Sequence, residues 1–560
     1  MRSFSRAAVA LLAAAALAAS SSGSAVPSKP DDRTILHVLN RIGYGARSGD
    51  VERVRQLGLA AYIEQQLHPE RVADSGMTAR LAGFETLNKS ARQLADEYFM
   101  PALEARQQVK KDAGNDPGSD PLMKLKPTPD PPADAKPVRT PEQMELARKS
   151  REVLAELTQQ KILRAAFSER QLEEVMTDFW FNHFNVFAGK GATQQYLTEY
   201  ERDAIRPHVF GKFRDLLEAT AQSPAMLFYL DNWQSADPDA QNMRPQGRQG
   251  GGGFFARPGR NARTGARPPM PAVVAPGQRG DPQNPNAQRQ KRGLNENYGR
   301  ELMELHTLGV DGGYTQQDVI AVARAFTGWT IVGPRQGGGF RFEPRIHDAR
   351  EKMVLGQKIK AGGGQSDGEQ VLDILARHPS TAQFISTKLV RRFVSDTPRP
   401  ALVDRAAARF RETDGDMREV VRTILTSPEF FSAEAYRAKV KSPLEFVVSA
   451  IRATGTEVSD AMALTQAVRQ LGMPLYMCQP PTGYPDKAEA WVNTGALLNR
   501  MNFALQLVGG RMRGIQAGTS PVDAVLAGDV SPVTRATIVK ATDAKQIAAL
   551  TLGSPEFQRR

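Results

Sequence analysis

Between Gly293 and Trp329 the chain reads GLNENYGRELMELHTLGVDGGYTQQDVIAVARAFTGW, with three glutamates, Glu296, Glu301 and Glu304. At about 100° per residue, Leu294, Tyr298, Leu302 and Leu305 form one apolar stripe of a helix. Asn297, Glu301 and Glu304 lie together on its shoulder, at i, i+4 and i+7. Two carboxylates at the edge of a core can bind a divalent cation or pass a proton. Glu296 falls on the exposed side, four residues before Arg300, a favourable ion-pair spacing. His306 projects away from Glu304 for as long as the helix stays regular. The competing reading is an ordinary charged helix face whose glutamates pair with neighbours.

Two further stretches carry polar chemistry. In TDFWFNHFNVF, Thr177 to Phe187, Met176, Trp180, His183 and Phe187 share a helical face, while Asp178, Asn182 and Asn185 form a polar line. A histidine within an aromatic stripe is either a ligand or a core residue that needs a hydrogen-bond partner. In RIHDAREKMVLG, Arg345 to Gly356, His347 and Asp348 are adjacent, with Lys352 beyond. Such a pair serves as a ligand or acid–base couple, or simply stabilises a turn. No nucleophile elbow, H-E-x-x-H helix, phosphate loop or dinucleotide fingerprint is present. The catalytic candidates are therefore Glu301, Glu304, His183, His347 and Asp348. A divalent metal would use Glu301, Glu304 and His183, with Asn297, Asn182 and Lys352 as further polar candidates. Carboxylate and imidazole ligands suit a hard or borderline cation.

The elements that must position these residues are helical. SGDVERVRQLGLAAYIEQQL, STAQFISTKLVRRFVSD and SPLEFVVSAIRATG show caps followed by apolar residues at helical spacing. Ser-Pro-Glu at 427–429 and 554–556, like Ser223-Pro224, reads as helix punctuation, with Ser as cap and Pro at the first position. Strand signals concentrate in GGFRFEPRIHDAREKMVLGQKI, which predicts a small hairpin. The expected fold is mostly α, a large helical domain over 31–505 with a minor β-hairpin. Two long insertions interrupt it, at 112–143 and 234–292. Both are rich in Pro, Gly and polar residues and are expected to be disordered. A helical extension, 506–560, is expected to pack on the same domain.

Residues 1–25 predict a secretory signal peptide: Arg2 and Arg6, an apolar run of 13 from Ala7 to Ala19, then small residues to Ala25. The expected location is periplasmic or extracellular, with no transmembrane segment in the mature chain. Cys478 is the single cysteine, so neither an internal disulfide nor a cysteine-rich zinc site is available. Of the net charge of +12, Arg2 and Arg6 supply two. Residues 236–292, with ten Lys/Arg against three Asp, supply seven more, leaving +3 for the rest. Basicity confined to one loop argues against a nucleic-acid partner.

Taken together, ILHVLNRIGYGARSGDVERVRQLGLAAYIEQQLHPE, FWFNHFNV, the Gly293–Trp329 stretch, HDAREKMVLG, HPSTAQFISTKLVRRFV and PPTGYPDKAEAWVNTGALLNRMNFA resemble one family. It is the secreted bacterial family catalogued as domain of unknown function 1800. Its pattern usually reads Gly-Trp-Pro where this chain has Gly483-Tyr484-Pro485. The resemblance implies an exported helical protein and an exported partner similar to sulfatases, but no reaction. It places His183, His208 and His347 in core motifs and implies that His306 and His378 stand at positions where other members often carry residues other than histidine. Two functions stay open at this point. One is a metal- or carboxylate-assisted hydrolase whose Glu, His and Asn residues meet in one cleft. The other is a non-catalytic envelope protein that binds or assembles with a partner.

Overall fold

Reciprocal caps open the helices that frame the site. Thr140 and Gln143 cap Pro141–Phe167, Thr315 and Asp318 cap Gln316–Ala325, and Ser442 and Glu445 cap Pro443–Thr454. Each pair satisfies two backbone donors that the first helical turn leaves orphaned. The structure is a computed structural model and describes residues 25–114, 140–239, 293–518, 522–526 and 528–560. The expected signal peptide and most of both expected insertions lie outside these residues. At the insertion edges the expectation is corrected. Thr140–Gln143 is a helix start, Ser235 and Ala236 are buried, and Asp237 and Asp239 both pair with Arg350.

The fold is mostly α, as the periodicity predicts. The described strands form three short antiparallel pairs: β1 (Trp329–Ile331) with β2 (Phe340–Phe342), β3 (Lys352–Val354) with β4 (Gln357–Ile359), and β5 (Glu457–Val458) with β6 (Ile515–Gln516). The predicted hairpin is thus split. Phe340–Phe342 pairs backwards with β1, and only Lys352–Ile359 closes on itself, turning at Leu355 and Gly356 with φ of 48° and 74°. Two consecutive positive φ values match the right-handed strand twist in a two-residue hairpin. The Ser-Pro punctuation holds at Pro224–Tyr229, where Ser223 accepts from the Ala225 N–H. At Ser427 and Ser554 it does not. There each hydroxyl accepts from the N–H three residues on and closes a turn rather than a helix.

One apolar core runs from Ile35 to Phe557 and takes in Leu507, Leu552 and Phe557 of the C-terminal segment. At its centre lies Pro443–Thr454, every residue of which is buried. A helix apolar on all sides belongs inside, yet this one carries three polar anchors. Ser449 donates to the Tyr44 carbonyl, and Arg452 donates to the carbonyls of Gly45 and Ala166 and pairs with Asp50 at 3.1 Å. Glu445 holds Arg392 at 2.6 Å and Arg560 at 3.1 Å. Buried charge survives there because each group is paired. Among the described residues, no helix is long and apolar enough to cross a membrane.

Candidate functional site

His183 ends the helix Gln171–His183, with its ring against Trp180 and Phe184. Its Nε2–H donates to the His306 carbonyl at 3.0 Å, and its Nδ1 accepts from the Lys388 Nζ at 2.8 Å. A carbonyl can only accept, so the ring hydrogen sits on Nε2 and the Nδ1 lone pair faces the lysine. Burial, then Lys388, holds the imidazole well below its ordinary range and therefore neutral. Lys388 comes from the middle of the helix Pro379–Phe393. Burial is the main cause that brings its ammonium down from the ordinary 10.5 to about 8, and Arg391 adds to the effect.

These groups line a cavity of about 370 Å³, together with Lys439 and Glu445, Met473 and the loop residues Tyr484, Asp486 and Trp491. Asparagines fix that loop. Asn182 accepts from the Tyr484 N–H at 2.7 Å and donates to the Tyr484 carbonyl at 2.9 Å. Asn185 donates to the carbonyls of Cys478 and Pro480. Gly483 permits the approach: its φ is 72°, and a Cβ there would sit 2.2 Å from the Asn182 carbonyl oxygen. The Tyr484 hydroxyl donates to the Pro474 carbonyl, and the Trp491 indole donates to the Pro485 carbonyl.

Charge in the cavity is unevenly matched. Arg392 is neutralised by Glu445, and Lys439 by Asp396 at 2.5 Å and Asp486 at 3.2 Å. Asp178 turns to Lys161 at 3.0 Å. Lys388 and Arg391 form no ion pair among the described residues, and the buried Nε of Arg391 has no hydrogen-bond partner. The exposed Lys487 of the same wall is likewise in no ion pair among the described residues, and three cations left over at a cavity make a site for an anion.

The cleft expected from the sequence is not assembled. Among the described residues, no three His, Cys, Asp or Glu side chains stand together as a metal cluster would require. Both nitrogens of His183 are engaged, one by the His306 carbonyl and one by Lys388, rather than by Glu301 or Glu304. Glu304 accepts from the Tyr314 hydroxyl at 2.9 Å. Glu301 is half-buried, and burial together with Glu304 raises its carboxyl above the usual range. Asn297 is exposed. Glu296 is exposed as expected, but it and Arg300 both bond to Gln316 rather than to each other.

The side chains of His347 and Asp348 turn to different partners, although the Thr327 hydroxyl contacts His347 Nδ1 and accepts from the Asp348 N–H. Nδ1 of His347 meets the Thr327 carbonyl at 2.8 Å, and Nε2 meets Asp367 at 3.2 Å. Lys352, fully buried, donates to the same Asp367 carboxylate at 2.6 Å. Asp348 is held by Arg324 and Arg350, whose hydrogen bonds keep its carboxyl well below the ordinary range despite burial. His208 is half-buried and makes a local bond to the Ala204 carbonyl.

His306 overturns its expectation. The helix Glu296–Met303 widens into a π-helical turn over Glu304–Leu308, which carries His306 inward to burial with its ring 6.4 Å from that of His183. Burial, with Lys388 nearby, pushes the His306 imidazole down to about 3. Lys388 and Arg391 were missed as well. The signal available in STAQFISTKLVRRFV is a lysine four residues after Phe384, bordering the buried line Ile385, Leu389 and Phe393. A lysine at such a border ordinarily extends its amine to water.

Over residues 37–559 the chain matches the family model described as Protein of unknown function (DUF1800), and it belongs to that family. No curated protein and no solved structure gives a significant match.

Proposed function

We propose that this is an exported protein that binds an anionic ligand in the cavity between His183, Lys388 and the loop at Tyr484–Trp491. The carrying observation is the pair Lys388 and Arg391, which line a cavity of about 370 Å³ and form no ion pair among the described residues, the cavity's carboxylates Asp178, Glu445 and Asp486 each being paired with another cation. A carboxylate, phosphate or sulfate group satisfies both, and the arginine fork accepts it in bidentate fashion. Tyr484, Trp491 and Met473 supply an apolar wall for the rest of the ligand. Export is supported by the basic, apolar and small-residue zones of residues 1–25. The binding reading draws more support than a metal-assisted hydrolase, because Glu304 is bonded to Tyr314 and both nitrogens of His183 are bonded to His306 and Lys388.

Thermal unfolding in graded phosphate, sulfate and acetate tests the site. Ligand at a hundred times its dissociation constant adds about 2.7 kcal/mol of stability. We expect a dose-dependent rise in melting temperature for the wild type and a much weaker one for Arg391→Gln. Equal responses from the two proteins would reduce the effect to general salt stabilisation and remove the proposal.

A further inference from the structure

The site holds more than an anion acceptor. Lys388 is an amine beside a cavity, donating to a neutral imidazole whose lone pair is held toward it. No carboxylate among the described residues pins it, unlike Lys439, which sits between Asp396 and Asp486. One turn along the same helix, Arg391 lines the same cavity with an unpartnered buried Nε. We infer that Lys388 is a nucleophilic amine that condenses with a carbonyl compound bearing an anionic group, the anion seated on Arg391 and the carbonyl carbon facing Nζ. The inference rests on the anion-binding reading and adds a covalent step to it.

The step is balanced without an oxidant or reductant. The ammonium gives up a proton to solvent, since the neutral His183 imidazole is too weak a base to keep it. The free amine then adds to the carbonyl carbon, forming the C–N bond of a carbinolamine. Its C–O bond breaks as the hydroxyl takes up a proton and leaves as water. Ammonium and carbonyl compound thus become a protonated imine and water, with the single positive charge conserved. An amine titrating near 8 has an appreciable free fraction at neutral pH, where an ordinary lysine has little. Burial sets this titration first, Asp486 opposes it and Arg391 adds to it, while Lys388 in turn lowers the facing His183 and His306.

Pyridoxal phosphate, which carries both an aldehyde and a phosphate, is the probe. The full-length protein is incubated with it, reduced with borohydride and mapped by peptide mass spectrometry. The expected result is a phosphopyridoxyl group on Lys388 in preference to every other lysine, with labelling that rises from pH 7 to 9. Lys388→Arg, which keeps the charge and can be checked for folding by its melting curve, abolishes that adduct. Arg391→Gln, or pyridoxal without its phosphate, lowers it by about tenfold or more, the value of one charge-assisted hydrogen bond. Labelling spread over surface lysines with Lys388 untouched overturns the inference. If phosphate still raises the melting temperature in an Arg391-dependent way while no adduct forms, the nucleophile falls and the anion site stands. Equal labelling of Lys388 by pyridoxal and pyridoxal phosphate leaves the nucleophile in place and removes the anion site.

Discussion

Lys388 sits in an environment that costs the fold stability, and pH exposes that cost. Its amine titrates near 8 in the folded chain and at 10.5 ordinarily. Between those values the unfolded chain holds a proton that the folded chain has released, so stability rises with pH across this window. Below pH 8 both states are protonated and the penalty is fully present, about 3 kcal/mol. Urea unfolding of the wild type and Lys388→Met at pH 7 to 10 should therefore show the wild type gaining about 3 kcal/mol on the variant as pH rises. A constant difference would mean that Lys388 is not desolvated. The paired glutamates separate at the same scale. Glu304→Gln weakens the acceptor for Tyr314 and should cost about 1 kcal/mol. Glu301→Gln removes a charge that burial and Glu304 already disfavour, and should leave stability at pH 7 equal or higher.

Among the elements, the loop that closes the cavity depends on a helix C-terminus. Asn182 lies in the last turn of Gln171–His183 and grips Tyr484 through both backbone groups. Asn182→Ala leaves an N–H and a carbonyl of the loop without partners, a loss of about 2 kcal/mol. The loop also carries Asp486 and Trp491 into the cavity wall, so we expect weaker anion binding as well. Thermal shifts in phosphate would measure both effects in one titration. Unchanged phosphate response in a destabilised Asn182→Ala would separate the loop from the site. The π-helical turn at Glu304–Leu308 is the other decisive element. A widened turn brings the His306 carbonyl to His183, fixes the imidazole tautomer and thereby orients the lone pair toward Lys388.

At the scale of the whole molecule, the buried helix Pro443–Thr454 ties distant chain segments together through charge. Glu445 receives Arg392 and Arg560, and these partners hold its carboxyl at about 2 against an ordinary 4.5, overcoming the opposing effect of burial. A depressed carboxyl contributes stability that is fully present above pH 4.5 and is lost as pH falls through 2. The size of this contribution is about 3 kcal/mol. Acid unfolding followed by circular dichroism should show Glu445→Gln less stable than the wild type at neutral pH, with the gap closing toward pH 2. A gap independent of pH would point to packing rather than charge.

The capped helices, the apolar stripes at Tyr298 and Leu302 and the polar line of Asn182 and Asn185 were all legible in the sequence. Capping and helical periodicity act over three to four residues, within reach of local reading. Family membership was legible too, from the order of its motifs. The hairpin was half legible, since the Leu355-Gly356 turn is local whereas the pairing of Phe340–Phe342 with β1 is not. The cavity belongs to the tertiary structure alone. Its wall joins His183, Lys388, Lys439 and Tyr484, residues hundreds of positions apart in the extreme. In isolation Lys388 reads as one more basic residue on an amphipathic helix, free to reach water. Only the packing of three helices and a loop around it removes that water and withholds a carboxylate, and that combination turns a surface charge into a site. His306 teaches the same lesson in reverse: a regular helix would point it outward, and the widened turn that buries it is selected by what packs against it, not by its own neighbours in sequence.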